Sequence, residues 1–219
     1  MISILIRQFV FVFIIALISV IYFNCDDSSV NTTQNSQFCV SAQLSGWVPG
    51  NKTLYMNIYS NTKEIYPVAN CSVDDQGNFK ICFPDSFSDS TLWRADSIFF
   101  SGCHGGTASF NPPDARGVEE YNFRVKKNDT VCGAIDYKTF TNSDSIKVGD
   151  FEVFYVYANQ TVSGSGYELC GSDTLYFNGT AKSGWNKIVK HYTRVTTLNR
   201  TILYDLNEPP GAVWRYHGN

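Results

Sequence analysis

The sequence predicts an all-β protein, built as one or more β-sandwiches of short antiparallel strands that follow an N-terminal signal or anchor helix and a flexible tether. Two observations predict this fold class. The chain is rich in Phe (16) and Tyr (13) and poor in Met (2), a composition that favours strands over helices. Short runs of alternating side chains are separated by Gly, Asn and Asp, and a helical period extends no further than a turn or two within 85–96.

Residues 1–24 are expected to direct export. One cation, Arg7, precedes an apolar run from Phe9 to Phe23. This run is shorter than the ~20 residues that a membrane-spanning helix needs, so it is typical of a secretory signal peptide. Because residues 2–6 lengthen the apolar stretch, a transmembrane anchor is the alternative.

Cys25 follows the apolar run almost at once, and polar residues follow it. This arrangement resembles the signal of bacterial lipoproteins, in which the cysteine thiol receives diacylglycerol and becomes the first residue of the mature chain. The resemblance implies that Cys25 is lipidated and that 25–37 is a flexible tether. It also implies a bacterial cell-envelope protein, anchored in a membrane at the outer membrane, the cell surface or the periplasmic face. The alternative is an ordinary signal peptide with Cys25 as a stray thiol.

The other six cysteines are an even number, which predicts three disulfides in an oxidising compartment. They are Cys39, Cys71, Cys82, Cys103, Cys132 and Cys170. A hairpin turn centred on Gln76 and Gly77 would place Cys71 opposite Cys82, at a Cα separation of ~4.5 Å that suits a disulfide. A turn that differs by one residue would place the two side chains on opposite faces. A metal site is the lesser alternative, and the other four cysteines can pair in three ways.

Strand motifs predict how the chain is divided. The stretch "SVDDQGNFKICFP" resembles the strand–turn–strand of transthyretin-like and carboxypeptidase-regulatory β-sandwich modules, which implies such a sandwich in 38–110. Three further motifs are similar, in this order, to motifs of uncharacterised bacterial surface lipoproteins. They are "FYVYANQTVSGSG" (154–166), "SGWNKIVKHY" (183–192) and "PPGAVWRY" (209–216). We therefore expect a second β-rich region in 111–219, either separate or packed with the first as one unit; the resemblance implies no activity.

No arrangement of residues predicts catalysis or a cofactor. Cys103 and His104 lie in a Gly-rich loop, where a disulfide is a better explanation than a nucleophile. Asp74, Asp75 and Asn78 could bind calcium, but their spacing is commoner in a plain β-turn. We therefore expect no catalytic residue, no metal, no cofactor and no enzymatic activity. A net charge of −3 without a basic stripe argues against a nucleic-acid partner.

Aromatic side chains are candidates for ligand contact, since rings stack against the faces of sugars. The four tryptophans are Trp47, Trp93, Trp185 and Trp214. The alternative is that they fill a sandwich core. A second pattern, Asp followed by Ser or Thr and then an apolar residue or Thr, resembles the O-glycosylation motif of some Gram-negative bacteria, although Asx-turns at strand starts would produce it too. It occurs at Ser90, Ser97, Thr130, Ser145 and Thr174.

Together these observations predict an exported, lipid-anchored protein with a non-catalytic binding or structural role, whose partner is a glycan or an envelope protein. The alternative is a carbohydrate-active hydrolase or glycan-binding module that uses scattered carboxylates and exposed aromatic side chains. Paired carboxylates ~5–9 Å apart in one groove would favour the hydrolase. An aromatic strip without them would favour a lectin-like module.

Overall fold

The computed structural model describes residues 37–100 and 102–218, and nearly all of their regular structure is β-strand. This confirms the predicted all-β fold class. The predicted signal segment 1–24, residues 25–36 of the predicted tether and the lipidation of Cys25 lie outside the described residues. The described part of the chain contains no helix with the length and apolar character needed to cross a membrane.

Fourteen strands and one short helix form within the described residues. The strands are β1 (Cys39–Gln43), β2 (Lys52–Tyr59), β3 (Ile65–Val73), β4 (Asn78–Cys82), β5 (Trp93–Arg94), β6 (Ser109–Asn111), β7 (Arg116–Lys127), β8 (Thr130–Lys138), β9 (Phe151–Ala158), β10 (Val162–Cys170), β11 (Asp173–Ala181), β12 (Gly184–Val195), β13 (Arg200–Asp205) and β14 (Val213–Gly218). The helix α1 covers Ala95–Phe100, and one turn of 3-10 helix covers Ser143–Ser145.

The strands join in one large mixed sheet. Their order is β1-β4-β3-β2-β7-β8-β9-β12-β13-β11-β10-β6, with β5 added to β7 and β14 added to β8. The strands β11 and β13 run parallel, and the other strand pairs are antiparallel. The described residues form one compact unit, so the regions 38–110 and 111–219 pack together. This arrangement is consistent with an all-β sandwich.

Alternation of side chains explains why the strands form and which face each buries. In β2, Leu54, Met56 and Ile58 are fully buried, whereas Tyr55 and Tyr59 point to the other face. A period of two is what a strand with one buried face requires. The tyrosines therefore lie on the face of β2 that points away from the buried side chains.

Two hydrophobic cores lie on the two faces of β9. The first core contains Leu54, Met56, Ile58, Phe79, Ile81, Phe83, Val118, Phe123, Val125, Ile135 and Trp214. The second core contains Phe99, Phe100, Phe140, Ile146, Leu175, Phe177, Ile188, Tyr192, Ile202 and Tyr204. Tyr155 and Tyr157 of β9 pack into the first core, whereas Val156 and Phe154 pack into the second. One strand thus joins both cores through alternate side chains.

The predicted Cys71–Cys82 disulfide is wrong because the hairpin turn is one residue longer than expected. Val73 pairs with Phe79, so the strands β3 and β4 are in a register shifted by one residue. Gly77 adopts the left-handed conformation, with φ of 84°, and closes this longer turn. The shift puts Cys71 and Cys82 on opposite faces of the sheet.

The described residues contain two disulfides where the sequence predicts three. They are Cys39–Cys82 and Cys103–Cys170. Cys71 in β3 and Cys132 in β8 are free thiols. The strands β2 and β7 lie between β3 and β8, which separates the two thiols by three strand spacings, ~14 Å, too far for a disulfide.

Candidate functional site

The sheet divides along β7. Residues 117–119 of this strand pair with β9, whereas residues 123–127 pair with β8. The strands β8 and β9 pair with each other only through Lys138 and Glu152. On the edge between its two partners, β7 has no described strand partner at 120–122, and a cavity of about 290 Å³ opens there. We call this space the junction cavity.

The junction cavity is strongly charged, and its charges are unevenly paired. Its charged lining residues are Glu119, Glu120, Asp136, Lys138, Glu152 and Lys190. Lys138 Nζ lies 2.5 Å from Asp136 Oδ2, and Lys190 Nζ lies 2.7 Å from Glu152 Oε1. Neither Glu119 nor Glu120 forms an ion pair with any residue that the structure describes. Two carboxyl groups at the junction therefore have no ion-pair partner among the described residues.

Two successive glutamates line one cavity because β7 is bulged. Asn57 of β2 pairs with Asn122, and Ile58 pairs with Glu120, so Tyr121 is an extra residue without a partner on β2. A bulge breaks the strict alternation of a strand and redirects its side chains. The bulge therefore lets Glu119 and its neighbour reach the same space.

Burial holds both glutamates partly in their neutral form. Burial, together with the charge of Glu119, raises the pKa of Glu120 to about 8. Burial raises the pKa of Glu119 to about 7, with Lys190 acting to lower this pKa and Glu152 acting to raise it. Removing water from a carboxyl group penalises its charged form. Both groups therefore exchange protons close to neutral pH.

An exposed group of aromatic rings lies beside the junction cavity. The rings of Tyr59 and Trp93 are nearly parallel, with centroids 5.6 Å apart, and the ring of Tyr121 lies 6.1 Å from that of Tyr59. Trp93 Nε1 donates a hydrogen bond of 2.9 Å to the backbone carbonyl oxygen of Tyr59, which fixes the indole in place. Tyr121 is 53% exposed. These three residues form what we call the aromatic face.

The aromatic face borders a second cavity, of about 390 Å³. The lining residues of this cavity are Tyr59, Trp93, Ser97, Ile98, Glu119 and Tyr121. Glu119 and Tyr121 also line the junction cavity. A carboxyl group with a raised pKa therefore stands between the rings and the charged space behind them.

Polar groups lie on the same side of the sheet, further along β2 and β7 from the rings of the aromatic face. Asn57 Nδ2 donates a hydrogen bond of 2.8 Å to Asn122 Oδ1, which links β2 to β7. Further along, Lys126 Nζ lies 4.6 Å from the ring centroid of Tyr55. A few polar groups placed beside aromatic walls are typical of small-molecule and sugar sites.

The structure separates the four tryptophans into Trp93, which is half-buried beside two exposed tyrosines, and three that pack in or against the first core. Trp214 is buried in the first core, and Trp47 and Trp185 are half-buried against it. Trp185 Nε1 donates a hydrogen bond of 2.7 Å to the carbonyl oxygen of Pro84, so its polar edge is also engaged. Trp93 is the tryptophan that belongs to the exposed aromatic face.

The residues of the predicted O-glycosylation motif are scattered over the surface. Ser90 and Thr130 are exposed, and Ser97, Ser145 and Thr174 are half-buried. Ser145 Oγ donates a hydrogen bond of 2.8 Å to the carbonyl oxygen of Asn142, which is local turn chemistry. Modification at these positions stays a prediction.

The acidic turn at 74–78 acts as a hairpin turn. The carboxylate of Asp74 accepts hydrogen bonds from the backbone N–H of Gln76 (2.9 Å) and from the backbone and side-chain N–H groups of Asn78 (2.8 and 2.9 Å). The hydrogen bonds from Asn78 lower the pKa of Asp74. Within the described ranges, no group of three or more His, Cys, Asp or Glu side chains is placed to hold a metal ion.

Comparisons with known proteins add no relative. No protein-family model matches this chain, and no curated protein or solved structure matches it significantly. The resemblance to bacterial lipoproteins stays a prediction. The candidate site therefore depends on the geometry and chemistry of this chain alone.

Reasoning from the sequence misses Glu119 and Glu120. The stretch "GVEEYNFRV" places two adjacent acids inside a strand. Because successive side chains of a strand face opposite sides, one of two adjacent acids in a strand with a buried face must point inward. A buried carboxyl group is costly and often functional, so this pair is the signal that could have found the site.

Proposed function

We propose that this chain is an exported, lipid-anchored protein of the cell envelope with a non-catalytic binding role, and that its aromatic face contacts the partner. The observation that supports this proposal is the group formed by the exposed Tyr59 and Tyr121 with the half-buried Trp93, beside a cavity of about 390 Å³. Rigid aromatic side chains give a large contact area at low entropic cost. The amides of Asn57 and Asn122 lie on the same side, where sugar hydroxyl groups could bind. We favour a glycan as the partner for this reason.

The proposed anchor is the thiol of Cys25. Two disulfides in the described part of the chain are consistent with an oxidising compartment outside the cytoplasm. Cys25→Ala should abolish labelling with a clickable fatty acid and release the protein from membranes, because the thiol is the group that accepts the lipid. Labelling that persists in the variant would contradict the assignment to Cys25, and an unlabelled variant that stays in the membrane would favour an uncleaved helix.

Binding can be tested with two matched tyrosines. Tyr121 belongs to the aromatic face, whereas Tyr176 of β11 is exposed elsewhere, at 53% and 41% exposure. The full chain is tested against a panel of peptidoglycan, mannan, chitin and cellulose by affinity electrophoresis and pull-down. We expect Tyr121→Ala and Trp93→Ala to weaken binding about tenfold, which corresponds to ~1.4 kcal/mol, and Tyr176→Ala to leave it unchanged. Equal losses at Tyr121 and Tyr176, or no binding to any member of the panel, would contradict the proposal.

A carbohydrate-active hydrolase is the second candidate, and the position of Glu119 between the two cavities favours it. Glu152, which also lines the junction cavity, is paired with Lys190, whereas Glu119 has no such partner. Two carboxyl groups in unlike surroundings can act as acid and base in one reaction. Turnover of chromogenic glycosides that survives repurification and is lost in both Glu119→Gln and Glu152→Gln would favour this candidate. Its absence, together with binding to a polysaccharide, would favour the binding role.

A further inference from the structure

The charges around the aromatic face are not balanced. Both lysines of the junction cavity are already paired, each to another carboxylate. Glu119 has no ion pair within the described residues, and of the two unpaired glutamates it is the one that also lines the cavity of the aromatic face. A poorly hydrated carboxylate without a counter-charge is unfavourable. A cation that enters this cavity from solvent would stabilise it.

The rings of the aromatic face are also free to receive a cation. A cation within about 6 Å of the centroid of a Trp or Tyr ring is attracted to the ring face, most strongly to Trp. Elsewhere the chain uses its own lysines in this way: Lys52 Nζ lies 4.4 Å from the ring centroid of Trp47, and Lys126 lies over Tyr55. No cation of the described residues lies over the rings of the aromatic face. Its three rings therefore keep their cation-binding capacity for a ligand.

We propose that the cavity of the aromatic face binds an organic ammonium group, seated against Trp93 and Tyr121 with Glu119 as its counter-charge. A neutral sugar would use the rings and leave the carboxyl group without a cation, whereas an ammonium group satisfies both. The cavity of about 390 Å³ has room for a methylated ammonium group and part of the molecule that carries it. This inference rests on the proposed binding role of the aromatic face and names the chemistry that the face selects.

Binding of an ammonium group should depend on pH through Glu119. Burial raises the pKa of this carboxyl group to about 7, so a bound cation would favour the loss of its proton. Next to Trp93 in the sequence, Arg94 forms an ion pair with Asp96, in which Arg94 Nη2 lies 3.0 Å from Asp96 Oδ2. On the inner side, the facing titratable groups are Glu120, Asp136, Tyr137, Lys138, Glu152, Lys190 and Tyr204. Because both lysines among them are paired, we expect affinity for the cation to rise as pH increases from 6 to 8, by up to about tenfold.

Choline and its uncharged carbon analogue, 3,3-dimethylbutan-1-ol, separate the charge from the shape of the ligand. The charge of choline does not change with pH, so a change in its affinity reports on the protein. Titration calorimetry on the full chain in detergent should show choline binding at least about tenfold more tightly than the analogue at pH 8. Glu119→Gln should remove both this preference and the pH dependence. Asp96→Asn, which removes an exposed carboxylate that lines neither cavity, should retain both.

The outcomes distinguish the ammonium site from the binding role. If the wild-type chain binds choline and the analogue equally at pH 8, or if choline affinity is the same at pH 6 and pH 8, the ammonium inference is overturned. If both ligands bind equally and Trp93→Ala abolishes both, the face remains a binding site with a different selectivity. If neither ligand binds but the polysaccharide panel does, the inference fails and the proposed function stands. Failure of both sets of ligands would overturn both.

Discussion

Carboxylates occupy two contrasting surroundings in this sheet. At the parallel pair β11–β13, Asp173 Oδ2 accepts hydrogen bonds from Arg200 Nε (2.9 Å) and Nη2 (2.6 Å), and Oδ1 accepts one from the backbone N–H of Arg200 (2.8 Å). At the junction cavity, Glu119 and Glu120 are buried or half-buried without an ion pair among the described residues. The same kind of group is paired with a cation at one place and has no ion pair at the other.

The two places affect the stability of the folded chain in opposite ways. The hydrogen bonds that Arg200 donates to Asp173 raise the pKa of Arg200, so the folded chain favours the charged pair there. Burial raises the pKa of Glu120 to about 8, which shows that the folded chain disfavours a charge at the junction. Asp173 thus stabilises the join between two strands, whereas the junction glutamates reduce stability and are the better candidates for a functional role.

The largest expected effect is that the wild-type chain becomes less stable as the pH rises from 5 to 8. Glutamate in an unfolded chain loses its proton near pH ~4.3, whereas Glu120 in the folded chain keeps its proton until about pH 8. The folded state binds more protons throughout this window, so the free energy of unfolding falls as pH rises, by about 3 kcal/mol through Glu120 alone and by a smaller further amount through Glu119. Urea unfolding at pH 5 and pH 8 would measure this fall.

The variant Glu120→Gln supplies the control for the pH effect. An amide of the same shape cannot ionise, so more than half of the fall between pH 5 and pH 8 should disappear, and the rest should follow Glu119. A wild-type free energy of unfolding that is constant or rises with pH would contradict the account of the junction.

At the parallel pair β11–β13, Asp173→Asn should lower the free energy of unfolding by about 2 kcal/mol across pH 5–9. The substitution weakens charge-assisted hydrogen bonds to Arg200 in a site where the carboxylate is only 14% exposed. Thermal and urea unfolding would measure the loss. A loss below about 0.5 kcal/mol would show that this pair contributes no more than an ordinary surface ion pair.

The smallest expected effect is that of Asp96→Asn. The Arg94–Asp96 pair has the same chemistry as Arg200–Asp173, but its side chains are 60% and 50% exposed. An exposed pair contributes little, so we expect a change below about 0.5 kcal/mol. Because the two aspartates differ mainly in burial and in the number of hydrogen bonds, a loss equal to that of Asp173→Asn would show that burial is not the deciding factor.

The fold class could be predicted from the sequence, but the register of the strands could not. The alternation of Leu54, Met56 and Ile58 is a local pattern, and the structure confirms it. The hairpin at 71–82 was also predicted, yet its register differs by one residue. The stretch "DDQG" is compatible with turns of either length, and Gly77 can adopt a positive φ in both. That one residue decided the partner of Cys82.

The candidate site could be predicted only in part, because its residues meet through pairing between distant strands. Trp93 is one of four candidate tryptophans. The residues next to it in the sequence do not distinguish it from Trp214, which lies in the core. Tyr59 and Tyr121 come together because β2 pairs with β7, which no local pattern reveals. The position of Glu119 depends in addition on a bulge in β7. Such long-range features follow from the whole fold.

The strand β9 also has a consequence for how the chain acquires its structure. Tyr155 and Tyr157 complete the first core while Phe154 and Val156 complete the second, so neither half can open without exposing side chains of this strand. Its amide protons should therefore exchange with solvent only when the whole domain unfolds, in one cooperative step. The N-terminal strands come first in the chain, yet their core stays incomplete until β9 and Trp214 of β14 are available. The order of the strands thus delays folding until nearly all of the chain is present.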